Sequence, residues 1–99
     1  MQIEVVGRHI DVTDALRSYV TDKFSRIDRH TDNITSVKVT LSPEPNSHKA
    51  ESEIRIAGGQ LFASAEAHDM YAAVDLLIDK MDRQVRKHKG KIVSRNQGS

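Results

Sequence analysis

Between Lys80 and Ser99 the chain carries seven bases, Lys80, Arg83, Arg86, Lys87, Lys89, Lys91 and Arg95, against one acid, Asp82. That segment is +6 in a chain of formal charge +1, so residues 1–79 sum to −5. Side chains of this type at this density neutralise phosphate. A basic end on a mildly acidic body is the electrostatic footprint of a surface that meets nucleic acid. Lys80, Arg83, Lys87 and Lys91 are spaced to line one flank of a helix, with Arg86 and Lys89 on an adjacent flank. Lys23, Arg26 and Arg29 form a second group of cations upstream. Cations in the last turns of a helix complement its dipole at about 0.3–1 kcal/mol each and need no ligand. That accounts for two or three of them, not for seven, because like charges four residues apart repel by roughly 0.2–0.5 kcal/mol per pair.

Reaction chemistry has little to stand on. The histidines, His9, His30, His48, His68 and His88, are scattered, and none forms a ligand pair at helical spacing. His30 and His88, near the ends of the two expected helices, are the one pair that could cleave RNA by acid–base chemistry in a basic groove; solvated surface histidines are the simpler reading. Gly58-Gly59 lacks the longer glycine pattern and the Lys-Ser/Thr ending of a phosphate loop. With no cysteine there is neither a disulfide nor a thiolate metal site. The residues therefore predict no enzyme, no cofactor, no metal and no small-molecule substrate.

The elements that must position these cations follow from periodicity. Met1 to Arg8 reads as a strand, Ile3 and Val5 facing one way and Gln2 and Glu4 the other. Thr13 is a plausible N-cap with Asp14 in the first turn, and Leu16, Val20, Phe24 and Ile27 form one apolar helical stripe. From Ile34 the period becomes two: Val37, Val39 and Leu41 alternate with Ser36, Lys38, Thr40 and Ser42 until Pro43-Glu44-Pro45-Asn46 breaks the strand. Ser52, Ile54 and Ile56 alternate with Glu51, Glu53 and Arg55. Gly58-Gly59 then reads as a two-residue hairpin turn before a strand from Gln60 to Ala67. Asp69 is the natural N-cap of a last helix with the stripe Met70, Val74, Leu77, Met81 and Val85, expected to end near Lys89 with Gly90 at C′.

The order β-α-β-β-β-α predicts an α+β fold. A right-handed crossover makes the first two strands parallel, an antiparallel meander follows, and both helices cover one face of a four-stranded mixed sheet. The open face should present Gln2, Glu4, Lys38, Thr40, Glu51, Glu53, Arg55, Phe62, Ser64 and Glu66. With a single aromatic, this face is not expected to stack bases as RNA-recognition sheets do. Phe62 or an open edge could instead recruit a protein. The two groups of cations could converge on a groove shared by the helices, with Lys23, Arg26 and Arg29 as its second wall. Ninety-nine residues make one domain; no apolar run is long enough to span a membrane, and the start has no secretory pattern, so a cytoplasmic protein is expected.

One run is more specific than any of this. Gly58-Gly59-Gln60-Leu61-Phe62-Ala63-Ser64-Ala65-Glu66, followed by Asp69-Met70-Tyr71-Ala72-Ala73-Val74-Asp75 and Ile78-Asp79-Lys80, resembles the ribosome hibernation promoting factors. These are grouped with the bacterial ribosome-associated inhibitors and sigma-54 modulation proteins. The resemblance spans nearly the whole chain, including Val12-Thr13-Asp14-Ala15-Leu16-Arg17. It implies a fold similar to double-stranded RNA-binding domains, with a ribosome-binding domain over 1–92 and a flexible tail over 93–99. The implied partner is the small ribosomal subunit and its rRNA, bound in stationary phase in the channel used by mRNA and tRNA by a chain that is monomeric when free. The family's basic positions fall on Lys23, Arg26, Lys80, Arg83, Lys87 and Lys91. The chain shows neither the C-terminal dimerisation domain of long members nor the extended tail of the inhibitor, so the resemblance implies the short class that promotes ribosome dimers. The alternative is an inhibitor that silences single ribosomes.

Overall fold

The computed structural model describes residues 2–28 and 34–98, with side chains over 2–27 and 34–88. The elements are β1 (Gln2–Gly7), α1 (Asp14–Asp28), β2 (Ile34–Pro43), β3 (His48–Ile56), β4 (Gly59–Ala67) and α2 (Met70–Gly98). They form one four-stranded sheet in the order β1-β2-β3-β4, with β1 parallel to β2 and the other pairs antiparallel. This is the architecture expected from the alternation of periods. Among the described residues no helix is long and apolar enough to cross a membrane.

Both helices lie on one face and fuse their stripes with the sheet's inner residues into a single core. Leu16, Val20, Phe24 and Ile27 of α1 are buried, as are Met70, Val74, Leu77, Met81 and Val85 of α2. They meet Val37, Val39, Leu41, Ala50, Ile54, Ile56 and Ala65 from the sheet. Each fully buried aliphatic or aromatic side chain stabilises the fold by about 1.5–3 kcal/mol, so the stripes dictate which helix faces turn inward. Alanine at positions 63, 65 and 67 lets α2 sit close above β4, and α2 packs on β3 and β4 while α1 packs beside it.

The helix starts are fixed by their caps. The Thr13 hydroxyl accepts from the Leu16 amide at 3.1 Å, and an Asp69 carboxylate oxygen accepts from the Ala72 amide at 2.8 Å. β1 stops at Gly7, where a Cβ would lie 2.3 Å from the Ile10 carbonyl oxygen, so the chain turns at a point only glycine can occupy.

β1 ends at Gly7 rather than Arg8, and three further boundaries differ from the sequence expectation. β2 includes Pro43, paired with His48, because β1 follows β2 only as far as Leu41; beyond that point β2 has no neighbour on its other side to need an amide donor. The β3–β4 loop is Ala57-Gly58 rather than Gly58-Gly59: Ile56 already pairs with Gly59, and the positive φ of 91° falls on Gly58. Finally, α2 does not end at Gly90 but runs to Gly98. An interior glycine costs only about 1 kcal/mol against alanine, which neighbouring helix formers can carry.

Candidate nucleic-acid interface

The two helices expose cations on opposite flanks of α2. On the flank that faces α1, the Tyr19 hydroxyl donates to the Asp75 carboxylate, and Lys23 reaches the same carboxylate at 3.7 Å. The Lys23 ammonium also sits 5.2 Å from the centre of the Tyr19 ring, and the Tyr19 and Tyr71 rings meet edge to face at 4.9 Å. The hydrogen bond to Asp75, helped by burial and the carboxylate charge, pushes the Tyr19 phenol up to about 12 from its ordinary 10.0, against the pull of nearby Arg26. Further along this flank Arg86 pairs with Asp82 at 3.1 Å. Arg26 is exposed at the end of α1.

The other flank of α2 leans over the edge of the sheet. Lys80, Gln84 and His88, four residues apart, donate to the carbonyls of Ser64, Phe62 and Ala57 at 2.8, 2.6 and 2.9 Å. A carbonyl can only accept, so the bond to Ala57 assigns the proton to Nε2 of His88. Arg17 of α1 does the same at the opposite edge, donating to the Val5 carbonyl of β1 at 3.0 Å. The Lys80 ammonium keeps two further donors. Arg83 and Lys87 are exposed on this side and enter no ion pair among the described residues.

The expected groove between two basic walls is therefore not what the packing brings together. Lys23 and Arg26 lie at the seam with α1, where α2 contributes Asp75 and Asp82, whereas Lys80, Arg83 and Lys87 lie toward β4. Arg86 stands exposed beside Asp82. Arg29 lies outside the described residues, as do the side chains of Lys89 and Lys91. Of the histidine pair considered for RNA cleavage, His30 also lies outside them, and the Nε2 proton of His88 is committed to a carbonyl. The sequence reading overlooked Tyr19, Tyr71 and Gln84. The available signal was polar-tipped residues at positions flanking each apolar stripe, where a side chain can lie along the core and bond at its rim.

The pattern of the family described as "Sigma 54 modulation protein / S30EA ribosomal protein" matches residues 3–93. The chain belongs to this family. It is 51% identical over 98 residues to the ribosome hibernation promoting factor of Azotobacter vinelandii, covering 99% of this chain and 92% of that one. It is 44% identical over 92 residues to the factor of the same name from Escherichia coli strain K12, covering 93% and 97%. Among solved structures it superposes on a ribosomal subunit interface protein from Coxiella burnetii with a TM-score of 0.86 at 30% identity, covering 91% of this chain and 99% of that one. The N-terminal domain of Thermus thermophilus Protein Y gives 0.83 at 36% identity, with 89% and 99% covered. The overall fold is thus shared with these two solved proteins.

Proposed function

We propose that this protein is a ribosome hibernation factor that binds the small subunit in the mRNA and tRNA channel, stops translation in stationary phase, and promotes dimers of the idle ribosomes. The observation that carries the reading is family membership over residues 3–93, with relatives named for ribosome hibernation. The geometry supports it with cations on a rigid support. Arg83, Arg86 and Lys87 project from a helix whose opposite face is locked into the core by Leu77, Met81 and Val85. Lys23 and Arg26 add a second set across the seam. With cations on both flanks, the crest of α2 enters between rRNA strands as a wedge. The protein works by occupying space: it contributes binding and exclusion, and no bond is made or broken.

The test is sedimentation of ribosomes with added protein. Arg83→Glu combined with Lys87→Glu should abolish co-sedimentation with small subunits, while thermal melting stays near that of the parent because both side chains are exposed. Undiminished binding of this double variant would sink the proposal. The same gradients show the ribosome dimer peak; binding without that peak makes the protein an inhibitor of single ribosomes.

A further inference from the structure

The flank of α2 that leans over β4 does more than close an edge. It forms one wall of an open cleft of about 750 Å³ whose floor is the outer face of the sheet. Phe62 lies in it with 61% of its surface exposed. Lys80, Arg83 and Gln84 stand along its helical rim, and Glu51 and Glu53 lie across from Phe62 on β3. Register places Glu53 directly opposite Phe62 and Glu51 one step along the same face. Opposed side chains on one face of an antiparallel pair start about 4.5–5.5 Å apart, so a flat group lying on the Phe62 ring turns its edge toward the Glu53 carboxylate. Glu51 is already held by Lys49 at 2.9 Å. Glu53 enters no ion pair among the described residues.

We propose that this cleft is a single-nucleotide pocket for unpaired RNA, in which a base stacks on Phe62, its phosphate rests on Lys80 and Arg83, and Glu53 reads the edge of the base. The cleft has the three parts such a site needs: an aromatic platform in Phe62, cations along its rim in Lys80 and Arg83, and a carboxylate beside the platform in Glu53. A carboxylate can only accept hydrogen bonds. It therefore suits guanine, which offers two adjacent donors on its Watson–Crick edge, and opposes uracil, whose edge carries two carbonyl oxygens and a single donor. The size of the cleft is within the range of small-ligand sites. A peptide is the less fitting occupant, because the cations of the helical rim stand beside an exposed aromatic ring, while the floor is mixed, with Lys38 of β2 in register opposite Glu53. The inference rests on the RNA-binding reading above and adds a base-selective contact on the opposite side of the sheet edge.

The test uses the full chain and single-stranded guanosine-rich and uridine hexamers, followed by fluorescence anisotropy at fixed salt, with an RNA duplex as control. The guanosine-rich hexamer should bind about tenfold more tightly than the uridine hexamer, in keeping with the energy of a bidentate base contact. Phe62→Ala should weaken it by about tenfold or more, the usual loss on removing a stacking platform. The duplex should be unaffected. Glu53→Ala should erase the preference for guanosine, weakening the guanosine-rich hexamer through loss of its base contact and strengthening the uridine hexamer through removal of an opposing carboxylate. Phe62 and Glu53 are on the solvated face, so equal melting temperatures verify that the variants fold. If Phe62→Ala leaves both hexamers unchanged while Arg83→Glu weakens them, RNA is held by helix charge alone and the pocket is overturned, with ribosome binding intact. If Phe62→Ala weakens binding to intact ribosomes but no hexamer, the cleft contacts a ribosomal protein, and the proposal is equally overturned.

Discussion

At the scale of residues, Asp75 decides how much of the α1 cation group is available. It accepts from Tyr19 and lies 3.7 Å from Lys23, so part of the positive field at the seam is neutralised within the molecule. Replacing Asp75 with Asn should bring the Tyr19 phenol back from about 12 toward 10, read as the phenolate absorbance in an alkaline titration. A shift of one unit or less on this replacement would show that Asp75 is not the main cause. The sign of the stability effect follows. Tyr19 holds its proton more tightly in the folded chain than when unfolded, so its contribution is complete below pH 10 and is lost as pH rises toward 12. The same substitution leaves Lys23 without an acid beside it, and binding to small subunits should strengthen. None of this pairing was legible in the sequence, because Tyr19 and Asp75 are 56 positions apart and only the packing of the helices brings them together.

Elements were far more legible than their neighbours. The stripes of α1 and α2 could be read because burial repeats every three to four residues, and the caps because Thr13 and Asp69 must satisfy amides that no helical carbonyl can reach. Removing the Asp69 cap by mutation to Ala should cost about 1 kcal/mol, a fall of roughly 4–8 °C in melting temperature for a domain of this size; an unchanged midpoint in a calorimetric scan would contradict the cap's role. What spacing could not give was the direction of each flank. The sequence fixes the angle between Lys80 and the buried stripe, but two mirror-related placements satisfy that angle. The lateral order β1-β2-β3-β4 with α2 over β3 and β4 selects the one in which Lys80 points to the sheet edge and Asp75 to α1. Gly90 misled for a related reason: glycine marks a stop only where the next residues gain by leaving the helix, and here the helix continues to Gly98.

For the whole molecule, the near-neutral total of +1 conceals a dipolar distribution, and binding should be read through salt rather than through affinity at one condition. If about six phosphates are neutralised, affinity for the small subunit should fall on the order of a thousandfold between 50 and 200 mM salt. A nearly flat salt dependence would mean that contacts other than ion pairs dominate. The edge contacts of α2 have a different consequence at this scale. An uncovered strand edge is the usual starting point for growth of one sheet onto another between copies. By giving the carbonyls of Ala57, Phe62 and Ser64 to its own helix, and that of Val5 to Arg17, the chain withholds them from a neighbour's amides. Both outer edges are thereby protected against strand-by-strand aggregation, by side chains of the two helices that also carry the exposed cations.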